Sequence, residues 1–194
     1  MEHLTEFLMT QKMTPLVNRY AVTALDGGDV LAFGEQKRFA VREELTFWNG
    51  EDRAMKIGGF KARKAIDFGG IYDVAGSDGA VIGTFRKDVK ASLLRSTWHL
   101  TQDDSTAAVG RERRVGVALA RRGWELLDAV VPIVPVPSVP FVYHFDFVRD
   151  GQPVLSVERK WGLRDRYVIR VQDPELDRTL ALCMAAGLDA LQGR

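Results

Sequence analysis

The 194-residue sequence predicts a mainly β fold: a closed antiparallel barrel of about twelve strands threaded by a buried hydrophobic C-terminal helix. Three observations lead there. Turn signals of the Asp-Gly and Asn-Gly kind recur along the chain. The runs between them alternate apolar and polar residues. The chain closes with "LDRTLALCMAAGLDALQG", whose middle, Thr179 to Leu188, carries no charge on any face.

The turn signals fall at Asp26, Asn49, Asp78, Asp103, Asp150 and Asp173. Such residues accept the positive φ of tight turns, so between apolar runs they mark hairpins. Their spacing suits two strands plus connections, and only between Asp103 and Asp150 is it nearly doubled. The flanking runs give strands at Phe7–Lys12, Tyr20–Leu25, Val30–Gln36, Glu44–Trp48, Ala54–Phe60 and Ile71–Ala75. They continue at Ala80–Arg86, Thr97–Gln102, Ala107–Arg113, Phe141–Arg149, Pro153–Trp161 and Arg166–Gln172. In the last of these, Tyr167, Ile169 and Val171 share one face, and Arg166, Val168, Arg170 and Gln172 the other. Closure removes the exposed edges of so many strands, but a barrel that wide is not filled by its own inward side chains. A helix apolar all round is one buried all round. The helix is expected over 174–192, with Asp173 as N-cap, Pro174 at its first position, and Glu175 and Asp177 complementing the dipole. The alternative is a helix lying across one face of an open sheet, which would normally keep a polar outer stripe.

The whole of 1–194 reads as one domain, with an insertion at 115–140. That insertion joins an amphipathic stretch, "VALARRGWELLDAVV", to the proline-interrupted "PIVPVPSVP". Arg121, Arg122 and Trp124 are its candidate contacts with a membrane interface or a protein partner. Net charge is only +1, so the total favours neither nucleic acid nor membrane. A lone cysteine, Cys183, allows no internal disulfide and fits a reducing compartment. No stretch reaches the roughly 18 to 20 uncharged residues of a spanning helix, so a cytoplasmic chain, peripheral at most to a membrane, is expected.

At "FLMTQKM" and "SVERKWGLRDRYVIRV" the sequence resembles the LURP-one-related family of the tubby-like superfamily, to which phospholipid scramblases are also related. The matching features are Gln11-Lys12, Lys160-Trp161, Asp165 and Tyr167, with the repeated strand–turn–strand units between. The resemblance implies a twelve-stranded barrel around a hydrophobic C-terminal helix, and it implies phospholipid as ligand class. The chain departs from the scramblases in lacking their proline-rich N-terminal arm. At "DVAGSDG", moreover, Ala75 and Ser77 stand where a calcium loop wants acidic ligands.

If the strands run up and down, the Asp-Gly turns share one rim and the other connections share the opposite one. Segments 37–44, 61–67, 86–95, 111–122 and 158–166 hold 19 Lys/Arg against 7 Asp/Glu. The expected function is therefore a non-enzymatic module that meets anionic phospholipid or phosphoinositide through a basic rim. Lys61, Arg63, Lys64, Lys87, Lys90, Arg159, Lys160 and Arg164 are the candidate contacts. The competing explanation is ordinary surface charge, with Glu43, Asp67 and Asp165 pairing locally. Scramblase-like lipid translocation and a protein-interaction scaffold built on the insertion are the alternative functions. No aromatic stacking platform accompanies the charges, which argues against nucleic acid. His99, His144 and Asp146 read as surface residues, too few and too scattered for a metal site. No nucleophile with an orienting partner appears, and no glycine-rich loop cradles phosphate, so neither catalytic residue, metal nor cofactor is expected.

Overall fold

The computed structural model describes residues 3–14, 16–37, 42–64, 70–89, 91–93, 96–103, 105–113, 144–160 and 165–191. Twelve strands form a closed antiparallel barrel: β1 Glu6–Met13, β2 Val17–Ala24, β3 Ala32–Lys37, β4 Glu44–Trp48, β5 Lys56–Ala62, β6 Ile71–Gly76, β7 Val81–Lys87, β8 Thr97–Gln102, β9 Ala108–Glu112, β10 His144–Arg149, β11 Gln152–Lys160 and β12 Arg166–Val171. Each strand pairs with its neighbours in sequence, and β1 pairs with β12 to close the ring, Met9 opposite Tyr167. One helix, α1 Arg178–Leu191, follows β12. Register shifts at Phe47/Trp48, Val74/Ala75 and Phe147/Val148 add the local bends that closure needs.

The helix lies inside, resting mainly on β5, β6, β7 and β12. Leu180, Leu182, Met184 and Leu188 are fully buried, and so is every residue from Leu180 to Leu188. That is the all-round burial its all-round apolarity demanded, and the open-sheet alternative is excluded. Burying the four together with Leu191 contributes at most on the order of 10 kcal/mol. The inward strand positions complete the packing: Phe60, Tyr72, Phe85 and Trp98, on four successive strands, form one aromatic run with ring centres 5.0–6.2 Å apart between neighbours. Helix and aromatics meet at Gly187, where an added Cβ would stand 2.8 Å from the Phe85 ring. A larger residue there would drive the helix off β7.

The helix start differs from expectation. Asp173 does not cap it. Its carboxylate accepts from the Glu175 amide at 2.9 Å and its carbonyl from the Leu176 amide, so Asp173–Leu176 is a tight turn. Pro174 sits second in that turn, a position its fixed φ suits. The N-cap is Asp177: Oδ1 accepts from the Leu180 amide at 3.0 Å and its carbonyl accepts the first intrahelical bond, from Ala181. Strand bounds move by one to three residues in several places. The largest shift with a clear cause is β5, which begins at Lys56 because Ala54 and Met55 belong to a turn closed by Asn49. Thr97, on the same face of β8 as His99, is buried beneath Ser92, whose hydroxyl accepts its amide at 3.0 Å. The 115–140 insertion, with Arg121, Arg122 and Trp124, lies outside the described residues.

Antiparallel pairing throughout puts connections at alternating ends of the barrel. The turns after β2, β4, β6, β8 and β10, and the residues leading into α1, share one end, called here the turn end. The connections after β1, β3, β5, β7, β9 and β11 share the basic end, where α1 finishes.

Because Leu182 has no exposed surface, Leu182→Ala should leave a cavity and lower the unfolding free energy by about 3 kcal/mol. Thermal denaturation should show a midpoint about 6–12 °C lower; a fall within about 1 °C would place this side chain outside the core.

Candidate functional site

The candidate cations do not form one cluster. They divide among two opposite outer walls and the inner mouth of the basic end. β5 and β11 stand six places apart in the ring of twelve, on opposite sides of the barrel.

On the first wall, neighbouring strands align two rows of outward residues. Glu44, Lys61 and Asp73 lie directly opposite one another on β4, β5 and β6, and Thr46, Gly59 and Ala75 form the next row. The second row is a floor of small groups. Gly59 cannot be otherwise, since an added Cβ would meet the Leu45 carbonyl at 2.2 Å. The result is a groove of about 390 Å³ lined by Arg42, Lys56, Lys61 and Arg63 against Glu44 and Asp73. Lys61 pairs with Glu44 at 3.1 Å. Arg63 holds Asp73 with Nε 2.9 Å from each carboxylate oxygen, and this hydrogen bonding raises the guanidinium pKa above its ordinary value. Lys64 is exposed beside them, and with Arg42 and Lys56 it makes no ion pair among the described residues.

On the opposite wall, Lys160 is tied into a ladder across four strands. Glu158 receives Lys160, Arg113 and Arg170, while Arg113 also holds Asp146, and Arg170 holds Glu6. Burial pushes the Glu158 carboxyl up, but the hydrogen bonds from Lys160 and Arg170 outweigh it and bring it down to about 2. This ladder neutralises its own charge.

Lys87 and Arg159 turn inward at the basic end. Lys87 Nζ lies 5.9 Å from the centre of the Trp98 ring, and Arg159 pairs with Asp165. Lys90 and Arg164 lie outside the described residues. Of the local acids expected to neutralise the rim, Asp165 pairs with Arg159, Glu43 accepts from the Gln36 amide group at 2.9 Å, and Asp67 lies outside the described residues.

The inner mouth also holds a group that the sequence reading passed over. Asp189, on the last turn of α1, accepts from Tyr20 Oη at 2.8 Å, from Tyr167 Oη and from Gln11 Nε2. Gln36 and Glu112 are fully buried near this end and Asn18 nearly so, with Asn18 donating to Gln36 at 3.0 Å. The barrel interior is thus apolar along most of the helix and polar where the helix ends. Burial raises the Asp189 carboxyl pKa; the tyrosine hydrogen bonds and Arg159 oppose the rise, and Asp165 adds to it. The signal available in the sequence was an acid at the unfavourable end of the helix dipole, together with tyrosines at inward positions on β2 and β12.

The remaining candidates behave as surface or core groups. His99 lies 3.1 Å from Asp88. Asp146 belongs to the ladder. Cys183 is fully buried, and burial pushes its thiol up, away from reactivity. Among the described residues no three potential metal ligands come together, and no helix is long and apolar enough to cross a membrane.

A raised carboxyl pKa means that the folded protein holds the Asp189 proton more tightly than the unfolded chain does. Its contribution is therefore fully present below the ordinary carboxylate value of 3.8 and is lost as pH rises through the raised value. Asp189→Asn removes that titration. The melting temperature of the wild type relative to Asp189→Asn should fall as pH is raised above 3.8 through neutrality; a constant or rising difference would show that folding does not raise this carboxyl's pKa.

No protein-family model, curated protein or solved structure matches this chain. The assignment of function therefore begins from the groove and the charges around it.

Proposed function

We propose that the chain is a tubby-like barrel of the LURP-one-related kind, a non-enzymatic module that binds anionic phospholipid headgroups in the groove on the outer face of its β4–β6 wall. The observation that carries this reading is the groove itself. Its floor is kept low by Thr46, Gly59 and Ala75, and four cations, Arg42, Lys56, Lys61 and Arg63, border it against two acids. Arg42 and Lys56 are exposed cations with no ion pair among the described residues, as is the adjoining Lys64. A phosphate entering there would compete with Glu44 for Lys61 and with Asp73 for Arg63, which are exposed pairs and weak ones. A guanidinium already aligned by a carboxylate is placed for bidentate contact with phosphate oxygens.

The reading also ranks the candidates. Lys61, Arg63 and Lys64 act together on one wall. Lys160 stands on the far wall within a saturated ion ladder, and Lys87 and Arg159 belong to the interior of the mouth.

Cosedimentation with vesicles tests this. At low salt the protein should pellet with vesicles containing phosphatidylserine or phosphoinositide, and not with phosphatidylcholine alone. Reversing Lys61, Arg63 and Lys64 to Glu should weaken that binding at least about tenfold, each cation being worth about 1 kcal/mol near anionic lipid. Lys160→Glu should weaken it far less. Absence of binding to anionic vesicles at low salt, or equal loss from both walls, would overturn the proposal.

A further inference from the structure

The turn end carries an arrangement that the lipid reading does not use. The β4–β5 turn, residues 49–55, contains Arg53 at φ 58°, in the left-handed region that glycine and asparagine occupy most readily. Nothing about the backbone favours arginine there, so its side chain has to account for it. The guanidinium carbon lies 5.5 Å from the centre of the Trp48 ring and 5.8 Å from that of Phe33. Its Nη2 donates to Glu35 Oε1.

The walls of this seat belong to the barrel. Phe33 and Trp48 are directly opposite one another on β3 and β4. Glu35 lies two residues along the same face of β3, opposite Arg19, whose Nε fixes the carboxylate at 2.9 Å. Two aromatic faces and an oriented carboxylate match one guanidinium, which stacks by its plane and donates from its edge. A quaternary ammonium has no N–H to offer Glu35, and a lysine ammonium has no plane to stack. The walls are strand-borne, whereas the occupant rides on a turn and keeps 44% of its side chain exposed.

The surroundings are suited to a basic visitor. Glu51, Asp52 and Asp78 are exposed at this end. The same turn presents Met55, 56% exposed, which lines a groove of about 590 Å³ with Ile57 and Ile82, bordered by Asp78 and Asp177, with His3 and the nearly buried Arg178 also in its lining. An apolar floor with an acidic border complements a basic, partly apolar protein segment.

We propose that Phe33, Trp48 and Glu35 form an arginine-binding seat for a basic partner protein, occupied in cis by Arg53 until the partner's arginine displaces it. The seat lies on β3 and β4 at the turn end, beside the groove proposed for lipid, where Lys56 stands opposite Trp48, and it does not depend on the lipid reading. Arg53, tethered beside the seat, competes at an effective concentration in the millimolar range. The wild type therefore binds an external arginine with an affinity reduced by the small fraction of open seats.

The test uses the full chain and follows the Trp48 indole N–H resonance during titration with the capped tripeptide Gly-Arg-Gly, and with Gly-Lys-Gly as comparison. Arg53→Gly should open the seat and bind Gly-Arg-Gly at least about tenfold more tightly than the wild type. The same variant should bind Gly-Lys-Gly at least about fivefold more weakly than Gly-Arg-Gly, and adding Glu35→Gln should remove that preference. Arg53→Asn, which also tolerates the left-handed backbone, serves as the second open variant. An unmoved Trp48 signal in both open variants at about 10 mM tripeptide, or equal response to arginine and lysine, would overturn the proposal and leave Arg53 as a cover for two aromatic rings.

Discussion

The structure depends on one constraint: a ring of twelve strands encloses more space than its own inward side chains can fill. Unfilled, that space would leave the inner faces of Phe60, Phe85 and Trp98 without partners and forfeit the packing that holds the sheet closed. The C-terminal helix fills it. Sheet and helix are therefore a single cooperative core, in which neither has an alternative surface to bury. This explains why residues 180–188 contain no polar side chain, and why Gly187 stands where the helix passes closest to Phe85.

A filled barrel pushes its chemistry to the ends and the outer wall. Where the helix stops the interior becomes polar, and there Tyr20, Tyr167 and Gln11 converge on Asp189. The outer wall carries ion pairs in rows set by strand register, as in Glu44–Lys61–Asp73 and the ladder around Glu158. Because register fixes these rows, a small-residue row such as Thr46–Gly59–Ala75 becomes a groove between charged neighbours. The two proposed contacts, for an anionic headgroup and for an arginine, lie on neighbouring strands of one wall and meet where Lys56 stands opposite Trp48.

The architecture was legible in the sequence because two strong signals agreed. Period-two alternation between Asp-Gly turns could only mean strands, and a helix such as Leu180–Leu188 could only be stable inside something. The helix start was misplaced because Asp173-Pro174 satisfies the rules for a tight turn as well as those for a cap. What separates the two is the distant Gln102, which takes the Asp177 amide at 2.8 Å. The site was less legible. Sequence identified Lys61, Arg63 and Lys160 as rim cations alike, but their partners depend on cross-strand register, and their separation depends on strand number. Asp189 escaped notice because its three donors come from β1, β2 and β12. Arg53 escaped because neither a left-handed arginine nor the meeting of Phe33 with Trp48 leaves a local pattern.

The most direct measurement is native-state amide hydrogen exchange along α1. If the helix is the filling of the barrel, the amides of Leu182 to Leu188 open only when the whole molecule unfolds, with the same free energy of exchange as the most protected amides of β5 and β7. Exchange of those helix amides through a lower-energy opening, while the strands stay protected, would show that the barrel stands without its helix and would contradict the account.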